Sequence, residues 1–149
     1  MINVESSGTH RSIAADLIIR AARKALPPRF EQDDLTIVMT DDAHLKDLNR
    51  EYLGMDAPTD VLSFPSSERD PQTGSRYLGD ILISIPRAEV QARSAGHPVE
   101  AEVQLLVVHG VLHLLGYDHA QADEKSAMWK VQADILQSLG LGEIQVREE

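Results

Sequence analysis

The sequence predicts a single α+β domain: a small mixed sheet covered by helices, one of them buried and carrying a histidine metal site. Three observations lead there. Short β-branched runs alternate with longer segments of helical period, which is the pattern of strands and helices sharing one core. One segment is apolar on nearly every side, as a buried helix is. The 149 residues, 42% hydrophobic and 26% charged, match one globular domain and exclude disordered or fibrous chains. Residues 1–149 contain no internal repeat, low-complexity tract or linker, so one domain spans them all.

MINV at the start reads as a short strand. Residues 13–26, IAADLIIRAARKAL, place Ile13, Leu17 and Ala21 on one face, flanked by Ile18, Ala22 and Leu26, and Pro27 and Pro28 close this first helix. LTIVM at 35–39 is a buried strand, and Thr40 or Asp41 then caps a second helix through AHLKDLNREYL. Leu45, Leu48 and Tyr52 form its inward face and Gly54 ends it. Two strands follow, 61–64 and 77–85, separated by SSERDPQTGSR, an exposed loop without apolar period. Pro86 opens a third helix, PRAEVQARSAG, and Gly96 to Pro98 breaks it from VEAEVQLLVVHGVLHLLG, the helix apolar all round. A last helix, ADEKSAMWKVQADILQSLG, sets Met128, Val131, Ile135 and Leu139 inward and ends at Gly140.

Fourteen Lys and Arg against 24 Asp and Glu leave a net charge of -10, which opposes the simplest nucleic-acid binder, since basic side chains displacing counterions supply most non-specific affinity. An RNA function therefore needs a local basic patch or a bound cation. With no cysteine, disulfides, thiolate zinc sites and cysteine nucleophiles are excluded, leaving imidazole and carboxylate as metal ligands. The first residues show no leader pattern, and the longest strictly apolar run, 105–108, is far below the roughly 20 residues of a membrane helix. A soluble cytoplasmic protein is expected.

The chemistry concentrates in HGVLHLLGYDH, residues 109–119. His109 and His113 lie one turn apart on one face, and the bend at Gly116 brings the chain back to offer His119. Buried imidazoles need partners, at roughly 1–3 kcal/mol per unsatisfied group, and one shared metal relieves three together. The H-x3-H-x5-H spacing matches the zinc ligands of metzincin peptidases, including the glycine at the bend. Those peptidases carry a Glu after the first His where Gly110 stands here, so peptide hydrolysis is disfavoured and any base comes from elsewhere. Asp118, Asp80 and Asp60 are the carboxylates near apolar segments. Asp118 reads first as support to a histidine or a helix-end cap. Asp60, in DAPTDVLSFP, also fits a turn feeding a strand, and Asp80, in LGDILIS, is either hydrogen-bonded or facing a site.

Taken together, Asn49 and Tyr52, PTDVLSFP at 58–65, LGDILIS at 78–84 and HGVLHLLGYDH at 109–119 resemble, in order and spacing, the signature of the bacterial YbeY endoribonuclease family. The resemblance spans essentially the whole chain and is weakest before residue 34 and after residue 140. It implies a metal-dependent, single-strand-specific endoribonuclease acting in rRNA maturation, at the 3′ end of the small-subunit rRNA, and in ribosome quality control. One Zn2+ per chain is implied, held by His109, His113 and His119. His109, Asp118, Asp80 and Asp60 are implied as catalytic positions. Single-stranded RNA, rRNA and ribosomal particles are the implied partners, with neither membrane nor DNA. One position departs: an arginine usually follows the Tyr of the N-x-x-Y segment, and here it is Leu53, which cannot grip phosphate. Arg50, on a neighbouring helical face, is the expected substitute for positioning RNA. Lys46, Arg69, Arg76 and Arg87 join Arg50 as candidates for a local basic patch, against the alternative of a scattered solvated surface. Two rival readings stand beside this one: a non-catalytic ribosome-assembly factor with a structural metal, and a metal-dependent hydrolase of another class, such as a peptidase or amidase.

Overall fold

The computed structural model describes residues 1–57, 59–117 and 121–144. The β-branched runs form β1 (Ile2–Ser6), β2 (Asp34–Thr40), β3 (Val61–Pro65) and β4 (Tyr77–Ser84). The helical periods form α1 (Ala15–Ala25), α2 (Asp42–Leu53), α3 (Ile85–Ala95), α4 (Val99–Leu114) and α5 (Ala122–Ser138), and a 3-10 turn spans Pro28–Phe30. The strands lie in the order β1-β2-β4-β3, with β1, β2 and β4 parallel and β3 antiparallel to β4 at the edge. A mixed sheet with helices on it is the class the sequence predicts. Among the described residues no helix is long and apolar enough to cross a membrane.

Alternation along the strands divides the interior into two unequal layers. Leu35, Ile37 and Met39 of β2 and Ile81 and Ile83 of β4 join α1, α3, α4 and α5 in the main core. The residues between them face the other way, where Leu62 and Leu82 meet Leu45 of α2, with Val38, Leu48 and Phe64 around them. The sheet thus carries a thick helical layer on one side and the single helix α2 on the other. Within the thick layer, α4 is buried from Val99 to Leu112 at every position but Glu100, as an all-round apolar helix must be.

Three helices turn different faces inward from those the periodicity predicts. In α1 the buried stripe is Ile18, Ala21, Ala22 and Ala25, and Ile13 precedes the helix. In α5 it is Met128, Gln132 and Leu136, with Leu139 just beyond, whereas Val131 and Ile135 are only half-buried. In α2 it is Leu45 and Asn49, while Tyr52 is 63% exposed. The cause in the last two is a polar side chain with a buried partner: Asn49 Nδ2 donates to the Ala57 carbonyl at 2.9 Å, pinning the chain that leaves α2. The expected ends of α2 hold. Asp41 Oδ1 accepts from the His44 amide at 2.9 Å, and Gly54 takes the left-handed φ of 71°.

The segment between β3 and β4 is also more ordered than a featureless loop. Arg69 and Arg76 form a bridge, Tyr77 N–H donates to the Glu68 carbonyl, and Asp70 Oδ1 accepts from the Gln72 amide at 2.8 Å. It extends the β3–β4 hairpin and closes it with an Asp-built turn. Ser84, the last residue of β4, caps α3 by accepting from the Arg87 amide, so the helix begins at Ile85, one residue before Pro86.

Candidate functional site

Everything at the site follows from how closely α4 lies on the sheet. A Cβ at Gly110 would stand 2.7 Å from Ile81 Cγ2, so only glycine permits this approach, and Ser63 Oγ on β3 donates to the Gly110 carbonyl at 3.3 Å. This clamps the turn that holds His109 and His113 between the edge of the sheet and α5. The two rings meet edge to face, centroids 4.6 Å apart, with their Nε2 atoms separated by 3.1 Å. His109 is buried; its Nδ1–H donates to Gln132 Oε1 on α5 at 3.0 Å, and the Trp129 ring lies 5.8 Å away. Since a neutral imidazole carries one N–H, the bond to Gln132 leaves the Nε2 lone pair of His109 directed at His113.

This donor pair fits a metal. Two nitrogens each about 2.0–2.1 Å from a tetrahedral zinc lie about 3.3–3.4 Å apart, within a few tenths of the distance observed. Among the described residues no third His, Asp or Glu joins the pair. His119 and Asp118, expected as third ligand and as supporting carboxylate, lie outside the described residues.

The other expected residues are placed apart from the pair. Ile81 faces Gly110, so its neighbour Asp80 projects from the opposite face of the sheet, where the Tyr77 hydroxyl donates to Asp80 Oδ1 and sits 2.6 Å from Thr36 Oγ1. Burial, and then the bond to Asp80, push the Tyr77 phenol up to about 12 from its ordinary 10.0. A phenol with a raised folded pKa contributes stability below its unfolded value that is lost as pH rises through the folded one, here from about 10 to about 12. Ultraviolet titration of the folded protein is expected to show one tyrosine ionising near 12, and the Tyr77→Phe variant to lack that step. Persistence of the step in the variant would contradict this network.

Asp60 is buried at the other end of the sheet. Its carbonyl accepts from the Ser84 amide at the end of β4, five residues from Gly79, whose added Cβ would touch Leu114 at the end of α4. At about 3.3 Å per residue that is about 16 Å along the strand. Among the described residues Asp60 Oδ2 has no hydrogen-bond partner. The charge beside it is Arg87, which Asp42, and secondarily Asp60, hold above the usual guanidinium range.

The basic residues are engaged singly. Arg50, 57% exposed on its side chain, meets Asp47 at 3.3 Å, Lys46 meets Asp56 at 4.0 Å, and Arg76 meets Asp33 at 3.6 Å. Arg87 grips Asp42 through Nη2 at 2.8 Å, and Arg69 donates to the Gly74 carbonyl at 3.2 Å. Sequence reasoning did not single out Gln132 or Ser63. Only a polar residue at helical spacing among apolar ones could have pointed to Gln132.

The family model of the endoribonuclease YbeY matches residues 3–140. The chain belongs to the YbeY endoribonuclease family. Its relatives include endoribonuclease YbeY of Shouchella clausii, 46% identical over 145 residues, covering 91% of this chain and 89% of that one. The Persephonella marina enzyme is 40% identical across 87% of this chain and 86% of its own. That of Pelotomaculum thermopropionicum is 44% identical across 84% and 86%. The solution structure of a Thermotoga maritima protein shares the fold, with TM-score 0.60 at 23% identity, covering 100% of this chain and 99% of that one.

Proposed function

We propose that this chain is a zinc-dependent endoribonuclease that hydrolyses phosphodiester bonds in single-stranded RNA, acting in the cytoplasm on the 3′ end of small-subunit rRNA within ribosomal particles. The observation that carries the reading is the convergence of His109 and His113 Nε2 at 3.1 Å, in a chain of the YbeY family. His119 completes the ligand set. Zinc bound there would polarise a phosphoryl oxygen and lower the pKa of a coordinated water.

The chain's own residues do the rest. Gln132 Oε1 holds the proton of His109 on Nδ1, so that the lone pair of Nε2 is the one presented for ligation. The apolar packing of α4 excludes bulk water from the inner wall of the site, which strengthens every electrostatic contact inside it. Asp118, adjacent to His119 in the motif, is assigned the proton taken from the attacking oxygen. Asp80 and Asp60 serve substrate placement through β3 and its neighbours, and Arg50 contacts the backbone of the bound strand.

The test is cleavage of a labelled single-stranded RNA by zinc-loaded, chelated and reloaded protein, with metal content measured on each sample. Cutting by the loaded and reloaded samples alone, at one zinc per chain, is expected. Equal cutting by all three would refute the assignment. Unfolding on chelation, without turnover by the loaded protein, would move the reading to an assembly factor with a structural metal.

A further inference from the structure

Tyr52 is the residue whose placement the periodicity least anticipates. The ring is 63% exposed at the end of α2, beside Leu53 at 58% and Met55 at 59%, yet it is not loose. It is braced on Phe64 of β3, centroids 5.7 Å apart at 70°. Exposed large apolar side chains scattered singly are ordinary, but three within four residues, one locked against a second aromatic, form a built surface.

Its position relates it to the histidine pair. β3 is the edge strand, and among the described residues no further strand lies beyond it. Ser63, immediately before Phe64, is the residue bonded to the Gly110 carbonyl, in the turn that carries His109 and His113. The aromatic pair and the histidine pair therefore flank the same short stretch of one edge strand, from opposite faces. Positive charge around Tyr52 is sparse: Lys46 is matched by Asp56, the residue after Tyr52 is Leu53, and phosphate contact falls to Arg50, which shares its charge with Asp47. What this surface offers a nucleic acid is a π face, and stacking a base on an aromatic ring works without net positive charge.

We propose that Tyr52, braced by Phe64, stacks an unpaired base of an RNA strand that crosses the β3 edge, and so positions a phosphodiester further along that strand at His109 and His113. The proposal rests on the nuclease reading above and adds a source of single-strand selectivity, because a base inside a duplex cannot leave its stack without cost.

The test uses short single-stranded RNAs with 2-aminopurine at successive positions, bound to the protein in the His113→Ala background so that no cleavage intervenes. Fluorescence quenching at one position is expected, retained in Tyr52→Phe and lost in Tyr52→Leu, with affinity falling between about 5- and 150-fold, the range of one base stack. In the protein with His113 intact, KM for single strands should rise by the same factor with kcat nearly unchanged, and melting should not shift. Equal quenching and affinity in Tyr52→Leu would overturn the proposal, as would quenching at no position. Either result could stand beside normal zinc-dependent cleavage, whereas Tyr52-dependent quenching without cleavage would sink the nuclease reading and leave the platform.

Discussion

Replacing His113 by alanine is expected to lower kcat/KM on single-stranded RNA by about 10³-fold or more, the equivalent of the several kcal/mol that metal assistance supplies. The fold should survive, because His113 is only half-buried and α4 is held by apolar contacts along its whole length. Gln132→Leu should act on the same site at one remove. It keeps the size of the side chain but leaves His109 Nδ1–H without the carbonyl oxygen now 3.0 Å away, and removing such a supporting partner costs between about 10- and 100-fold in metal affinity or activity. Zinc titration separates the two variants. At saturating zinc Gln132→Leu should recover most of its activity and His113→Ala should not. Wild-type turnover by His113→Ala would remove the metal from the mechanism.

Gly79→Ala is expected to be the most destabilising single methyl in the protein. Gly79, the third residue of β4, lies at the register shift against β2 and holds a φ of 138°, a conformation that side chains rarely adopt. An added Cβ would stand 2.3 Å from the Phe64 carbonyl oxygen and 2.9 Å from Leu114 Cδ2. The first of these is backbone and cannot rotate away. Backbone strain and overpacking together set the loss at about 2–6 kcal/mol, a drop in Tm of roughly 5–20 °C. Gly54→Ala is the control: it shares a left-handed φ, but among the described residues nothing lies within 4 Å of an added Cβ, so it should cost only the strain. Similar melting of the two variants would mean that β3 does not approach β4 as closely as described.

The order of strands and helices, Asp41 as a cap and Gly54 as a stop were legible because each depends on residues within a turn of one another. The facing of α2 and α5 was not. Tyr52 was expected inside because it is large and falls at the right spacing, whereas Asn49, part of the family signature, and Gln132 were left off the inward faces because they are polar. In each case a partner distant in sequence decided the matter: Ala57 for Asn49, His109 for Gln132. Asp80 shows the same limit on a strand. An acid among apolar residues announces a special position, but which side of the sheet it takes depends on where Ile81 meets Gly110, across about thirty residues of chain. The histidine spacing was readable because one helical turn brings His109 and His113 together without help from elsewhere.

The burial of α4 on all sides bears on how the protein opens and closes. A helix surrounded by the sheet, α1, α3 and α5 has no route to exchange its amide hydrogens short of disrupting most of the molecule, so Val103 to Leu112 should form the slowest-exchanging segment, protected to the global unfolding free energy. His109 rides on that segment, while Gln132 rides on α5, whose outer side is solvated. Fraying of α5 would thus release the partner of His109 long before His109 itself moves, and the rate at which metal enters and leaves should follow the breathing of α5 rather than the stability of the domain.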